Sequence, residues 1–173
     1  LYNPTIYPVD LDVTYKGVIE TLMHYYGADT TMGGMFDAAG WPFEVSLETF
    51  EPMGAFPYNY QMGFVGMQVA TGYYIYREGI ETNNEDRRKE GEAVLDVWAT
   101  KCQTSQGLPR DWYDPGWWGA TGNFRDGSNV RVNTGGMESL IAAWAFAKRS
   151  GIDRPEWLDA CERYGDWLIQ NQN

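Results

Sequence analysis

The feature that most constrains the fold is an alternation of two kinds of helical segment, met twice along the chain. Residues 58–78 are apolar around nearly the whole helical circumference, and so are residues 135–150. Each is followed by a segment with one apolar stripe. In the first the stripe is Ala93, Val94, Val97, Trp98 and Cys102; in the second it is Trp157, Leu158, Cys161, Tyr164, Leu168 and Ile169. A helix that is apolar all round must be covered on most sides, whereas a striped one covers its neighbours and keeps a wet face. The order is therefore a buried helix, an amphipathic helix, a long loop, and the same pair again. Gly63, Gly66 and Gly72 weaken helix propensity in the first buried segment but let neighbours approach closely.

Local signals mark the ends. Asn84 is placed to cap the first amphipathic helix, with Glu85 and Asp86 in its first turn, where the helix dipole favours acids. Arg87, Arg88, Lys89, Glu90 and Glu92 form its wet face. Gly151 stops the second buried helix, and Asp153, Pro155 and Glu156 open the last one, with Asp153 and Glu156 at capping-box spacing. A further helix is expected after residues 1–11, an extended stretch carrying Pro4 and Pro8. Asp10 or Asp12 would cap it, Tyr15, Val18, Ile19, Leu22, Met23 and Tyr26 would line it, and Gly27 would stop it. Residues 28–57 are rich in Gly and Pro. Within them Phe43, Val45 and Leu47 alternate with Glu44, Ser46 and Glu48, which predicts a short strand or half of a hairpin.

The 173 residues suit one domain, 1–173, with a sizeable core. A formal charge of −11 argues against nucleic acid and anionic membranes as partners. No apolar run approaches the roughly 18 residues of a membrane-spanning helix. The chain begins at Leu1, so a missing leader says nothing about secretion. Cys102 and Cys161, the two cysteines, fall on apolar helix faces and read as buried thiols, with a disulfide left open. His24, the single histidine, sits beside Tyr25 and Tyr26 and reads as structural. No CxxC, HExxH, P-loop or GxGxxG motif occurs, so neither a metal nor a cofactor is expected.

The loop before the second buried helix, residues 107–134, has a different composition. It gathers Trp112, Tyr113, Trp117 and Trp118 among Asp111, Asp114 and Asp126, with Arg110, Arg125 and Arg131. Rings, carboxylates and glycines in this density make poor core and a good sugar surface: flat rings stack on sugar faces, and carboxylates bind hydroxyls. Trp117 and Trp118 are adjacent, so both cannot point into one core. Trp41, ahead of Pro42, is a second candidate platform, and Glu44 a further substrate contact. Guanidinium groups fork onto carboxylates, which makes a uronic-acid-containing polymer a candidate partner. Most glycosidases work with two carboxyl groups, about 5–5.5 Å apart when retaining and about 6.5–9.5 Å when inverting. Asp111 and Asp114 are the favoured pair, ahead of Asp37, Glu44 and Asp126. A wall of Trp would raise the pKa of an acid by desolvation. Asp114 before Pro115 and Asp126 before Gly127 also fit turn chemistry.

The stretch VNTGGMESLIAAWAFAKRSGIDRPEWLDACERYGDWLIQNQ, and before it PYNYQMGFVGMQVATGYYIYREGIETNNEDRRKEGEAVLDVWATK, resembles the helical hairpin unit of the α/α toroid of six-hairpin glycosidases and related polysaccharide lyases. Together the two cover roughly half of the chain, and no catalytic signature of that superfamily is carried over. The resemblance implies a mainly α fold: antiparallel helical hairpins of α/α-toroid type, incomplete, with a small β-hairpin insertion in 28–57 and a cleft loop at 107–134. It implies a polysaccharide-degrading glycoside hydrolase that is extracellular or, in a bacterium, periplasmic. A lyase of the same architecture, with Tyr113 or His24 as base, and a non-catalytic carbohydrate-binding or scaffold segment are the alternatives. A toroid needs about six hairpins and this chain supplies about two and a half, so a piece of a longer protein is expected, with the remainder as a partner. Terpene cyclases share a similar toroid, but their DxDD-type acidic motif is absent.

Overall fold

The computed structural model describes residues 9–25, 41, 46, 48–49, 51, 60–63, 67–110, 112–114, 123–125 and 129–172; of residues 60, 112–114 and 123–125 the backbone alone is described. The fold is mainly helical. Five helices, α1 (Leu11–Tyr25), α2 (Gln68–Glu81), α3 (Glu85–Thr100), α4 (Val130–Arg149) and α5 (Pro155–Gln170), accompany three short strands, β1 (Tyr60–Gln61), β2 (Trp112–Asp114) and β3 (Asn123–Arg125).

The helices form two antiparallel hairpins set side by side. In the first, α2 turns through three residues into α3. Thr82 and Asn84 donate their backbone N–H groups to the carbonyls of Glu78 and Gly79 at 3.0 and 2.8 Å, and the Asn84 side chain accepts from Arg87 N at 3.2 Å, as its capping position predicts. Glycine allows the two backbones to meet. A Cβ on Gly91 would run into Tyr76 N and the Gly72 carbonyl, and one on Gly79 would run into Arg88 N. In the second hairpin Gly151, at φ 76°, turns α4 into α5, a backbone conformation open to glycine and costly for other residues.

Matched contacts set the directions. Gly63 lies against Val132 at the start of α4, and Tyr73, Tyr76 and Arg77 reach the Phe146 ring near its end, so α2 and α4 run parallel. Asp96 pairs with Trp157, and Gln103 donates to the Ala160 carbonyl at 2.6 Å, so α3 and α5 also run parallel. α1 lies antiparallel to α2. Its Tyr15 hydroxyl donates to Glu78 at 2.8 Å, and Ile19 enters the core.

The core fills the space between the hairpins with Ile75, Tyr76, Val94, Leu95, Trp98, Leu140 and Trp157, all fully buried. The Tyr76 and Trp157 rings meet edge to face at 5.3 Å, a favoured aromatic geometry. Trp157 Nε1 donates to Asp96 Oδ1 at 2.7 Å. Burial raises the Asp96 carboxyl above its ordinary pKa, and the Trp157 hydrogen bond opposes that rise. At the far side of the first hairpin, Glu78 is nearly buried and pairs with Arg87, which also reaches Glu20 on α1. On the outer helices Arg154 bonds Glu92, linking the start of α5 to α3.

Several expectations need correction. The buried segment at 58–78 becomes helical only at Gln68: residues 60–61 pair as a strand, and Met67 is left-handed at φ 42°. The second buried helix begins at Val130 rather than Gly135, capped by Asn129, whose side chain accepts from Arg131 N and Val132 N. The capping box at Asp153 and Glu156 does not form. The N-cap is Arg154, which makes no side-chain cap, while Pro155 opens the helix. The reading of Cys102 and Cys161 as thiols stands, since both are free; Cys102 is buried as expected, and Cys161 is half-buried. Burial pushes the Cys102 pKa well up and the Cys161 pKa to about 12, so neither is a thiolate at neutral pH. The strand expected over Phe43–Thr49 falls mostly outside the described residues. The described sheet instead pairs β1 with β2 and β2 with β3, all antiparallel.

Candidate functional site

The parallel run of α2 and α4 brings their N-terminal ends together, and a groove of about 810 Å³ opens between them. Its described lining is Gly63 and Met67 from the approach to α2, Ala70 from its first turn, and Val130, Arg131, Thr134, Gly135, Glu138 and Ser139 from α4. The small residues Gly63 and Gly135 keep the groove open. A Cβ on Gly63 would meet the Val132 carbonyl and Gly136 N, so the chain entering α2 lies directly on the α4 backbone. Met62 fills the space that a side chain at Gly136 would take.

The polar lining comes from one face of α4. Arg131, Thr134 and Glu138 stand three and four residues apart, which stacks them along one side of a helix. Arg131, Thr134 and Glu138 are exposed, and Ser139 is half-buried with its hydroxyl donating to the Gly135 carbonyl at 3.0 Å. Thr134 Oγ1 lies 3.2 Å from the Tyr164 hydroxyl, which ties the stripe to α5. Thr134 and Glu138 also border a second, more apolar groove of about 340 Å³ with Met137, Ile141 and Leu168.

The sheet stands beside this groove, because β1 ends at Gln61, two residues before Gly63. Its register sets Gln61 opposite Trp112, Tyr60 opposite Tyr113, and Trp112 opposite Arg125. The aromatic-acidic segment Trp112–Asp114 is therefore the central strand of a sheet whose edge strand leads into the groove. The loop's root is fixed at the same end of the hairpin pair, just past the C-terminus of α3. Thr104 N donates to the Leu108 carbonyl at 2.9 Å, Arg110 N donates to the Cys102 carbonyl, and Gly107, at φ 92°, packs on the Arg163 backbone.

Of the residues singled out in the sequence, Trp112, Tyr113, Asp114 and Arg125 are brought together as neighbours in the sheet. Asp111, Glu44, Trp117 and Trp118 lie outside the described residues, as do Asp37 and Asp126. Arg110 is half-buried at the loop root and is absent from the groove's described lining. Trp41 is a correction. It is only 5% exposed, its indole N–H donates to the Leu22 carbonyl at 2.9 Å, and Gln68 holds its backbone by two hydrogen bonds of 3.0 and 3.1 Å. A ring so covered pins α1 to the start of α2 and offers no face to a sugar.

Glu138, Thr134 and Ser139 were not anticipated. Their signal is a polar stripe in an otherwise apolar helix: Glu138 and Ser139 fall within the apolar segment 135–150, and Thr134 falls just ahead of it, so spacing alone does not set them apart from a buried face. Among the described residues, no group of three or more His, Cys, Asp or Glu is placed to hold a metal ion. No described helix is long and apolar enough to cross a membrane. No protein-family model, curated protein or solved structure matches the chain.

Proposed function

We propose that the chain is a carbohydrate-active protein, part of a polysaccharide-degrading glycoside hydrolase of α/α-toroid type. The observation that carries this reading is the groove at the N-terminal ends of α2 and α4, bordered by the sheet that contains Trp112, Tyr113 and Asp114. Two parallel helices, each preceded by an antiparallel partner, are the arrangement from which a toroid is built, and its cleft opens at the end where the long connections enter the inner helices. In this reading the sugar chain stacks on loop tryptophans, Trp112, Trp117 and Trp118, and its hydroxyls bond Arg131, Thr134, Glu138 and Ser139. Asp111 and Asp114 serve as the acid and base of hydrolysis. Clefts that bind small molecules combine a concave apolar wall with a few convergent polar groups, which is the composition of this lining.

The test is affinity electrophoresis of the full chain through gels holding neutral and acidic polysaccharides, followed by an assay of reducing-end release from any polymer that retards it. Hydrolysis lost in the Asp111→Asn/Asp114→Asn double variant, with retardation kept, supports the reading. Full turnover in that variant removes the two aspartates from the chemistry. A product carrying an unsaturated, ultraviolet-absorbing end makes the chain a lyase instead, and retardation without any turnover makes it a binding segment.

A further inference from the structure

We propose that the outer flank of the α4–α5 hairpin is a docking surface for a basic amphipathic helix of a partner protein. Both helices are described along their whole length. The first hairpin covers one flank of the pair, α2 packing on α4 and α3 on α5. The other flank carries the apolar groove of about 340 Å³, floored by Met137, Ile141, Cys161 and Leu168. Ile141 is 36% exposed there, and Ile169, next to Leu168, is 71% exposed. The middle of the groove is open: a Cβ on Gly165 would meet nothing within 4 Å. Apolar side chains set along two antiparallel helices make a trough, which a third helix fills with residues at i, i+3, i+4 and i+7.

Charge decides which helix. On α3, and on the other side of α5, acids pair with arginines: Glu85 and Glu92 with Arg88, and Asp159 with Arg163. Arg163, the one cation within α5, is turned to Asp159 and Gln103. Among the described residues, Glu138, Glu162 and Asp166 are exposed and pair with no cation. Glu138 lines the groove on the α4 side, and Glu162 and Asp166 directly follow the lining residues Cys161 and Gly165. Arg131, near the same end of α4, is engaged in a contact of its own. An apolar floor between uncompensated carboxylates, on a chain of formal charge −11, attracts lysines and arginines beside a partner's apolar face. The same field repels an acidic helix and a second copy of this chain.

Fluorescence anisotropy of the full chain with three labelled peptides of about 18 residues, five helical turns, provides the test. The first has leucines on one face and lysines elsewhere. The second scrambles that composition and loses the face, and the third replaces the lysines with glutamates. The first should bind at least about tenfold tighter than either of the others. Gly165→Leu, which fills the groove from a position with free space, should weaken it at least about tenfold. Glu138→Gln/Glu162→Gln/Asp166→Asn should weaken it about fivefold. Asp12→Asn/Glu48→Gln/Glu51→Gln makes the same charge change at exposed acids elsewhere and should weaken it less than about twofold. Unchanged thermal melting of the variants separates a lost contact from a lost fold. Equal binding of the scrambled peptide, or an indifferent Gly165→Leu, overturns the docking surface. Equal losses in the two triple variants make the attraction a property of the whole chain and overturn it too. Self-association in sedimentation that Gly165→Leu abolishes overturns the choice of partner. Retention by a polysaccharide gel should be the same in Gly165→Leu, so the sugar reading stands or falls separately.

Discussion

The two hairpins share one plan and spend their inner helices differently. In α2–α3 the backbones touch through Gly72, Gly79 and Gly91, and the far side of α2 is covered by α1 through Glu78, Tyr15 and Arg87. The inner helix α2 is thereby closed on most sides. In α4–α5 the hairpin is joined by side chains, among them Thr134 with Tyr164 and Met137 with Cys161, and α4 keeps an open face with Arg131, Thr134 and Glu138 on it. The exposed charged residues of α2, Arg77 and Glu81, pair with each other near its C-terminal end and are not among the groove's described lining. On the reading proposed above, the first hairpin is the support and the second, with its aligned polar stripe beside the groove, is the working surface.

The sharpest way to break that comparison is to cut the join between the hairpins. Trp157→Ala removes a fully buried ring from the Tyr76 edge and leaves Asp96 without its indole donor. A loss of about 3–5 kcal/mol in urea unfolding is expected, as for other large aromatic truncations. Next comes the glycine contact. Gly91→Ala pushes a methyl into the α2 backbone and should cost about 1–3 kcal/mol, the usual range for overpacking. Gly165→Ala on α5 meets nothing within 4 Å and should leave stability equal or higher, by about 0.5–1 kcal/mol from helix propensity. Equal losses at the two glycines would remove the distinction between a closed and an open hairpin.

A smaller effect is expected along the α4 stripe. Arg131→Ala, Thr134→Ala and Glu138→Ala should each shift unfolding by less than about 0.5 kcal/mol, the range of surface substitutions, while changing ligand retention. A large loss of stability in any of them would make the stripe structural. The smallest expected effect concerns the seam between α1 and α2. The Tyr15 hydroxyl is pushed up to about 12, first by burial and then by its bond to Glu78. Its folded pKa exceeds the unfolded value near 10, so its contribution is complete below about pH 10 and is lost as pH rises toward 12. Burial raises Tyr76 as well, so tyrosinate absorbance should show late titration that shrinks by one tyrosine in Tyr15→Phe; an unchanged curve would contradict the assignment to Tyr15.

What could be read from the sequence was what is local. The caps at Asp10 and Asn84, the stripe of α3, and the stop at Gly151 depend on residues a few positions apart, and all formed as expected. Ile169, a member of the α5 stripe by its spacing, is 71% exposed. The misses were non-local. Residues 58–67 have the apolar content of a buried helix, but Tyr60 and Gln61 pair with Tyr113 and Trp112, some fifty residues on, and Gly63 lies on the α4 backbone. Periodicity within a window carries no trace of such a partner. Trp41 looked like a platform because it precedes a proline in a glycine-rich stretch. Its burial depends on Leu22 and Gln68, neither of which is adjacent to it. The groove itself depends on α2 and α4 running side by side, and only its Arg131–Thr134–Glu138 stripe was written in local spacing.

The most direct test of the division between support and working surface is amide hydrogen exchange of the chain with and without a polysaccharide that retards it. If α4 carries the binding face, protection should appear in residues 129–139 and 112–125, while residues 85–100 of α3 exchange as before. Protection confined to α3, or spread evenly over both hairpins, would contradict that division.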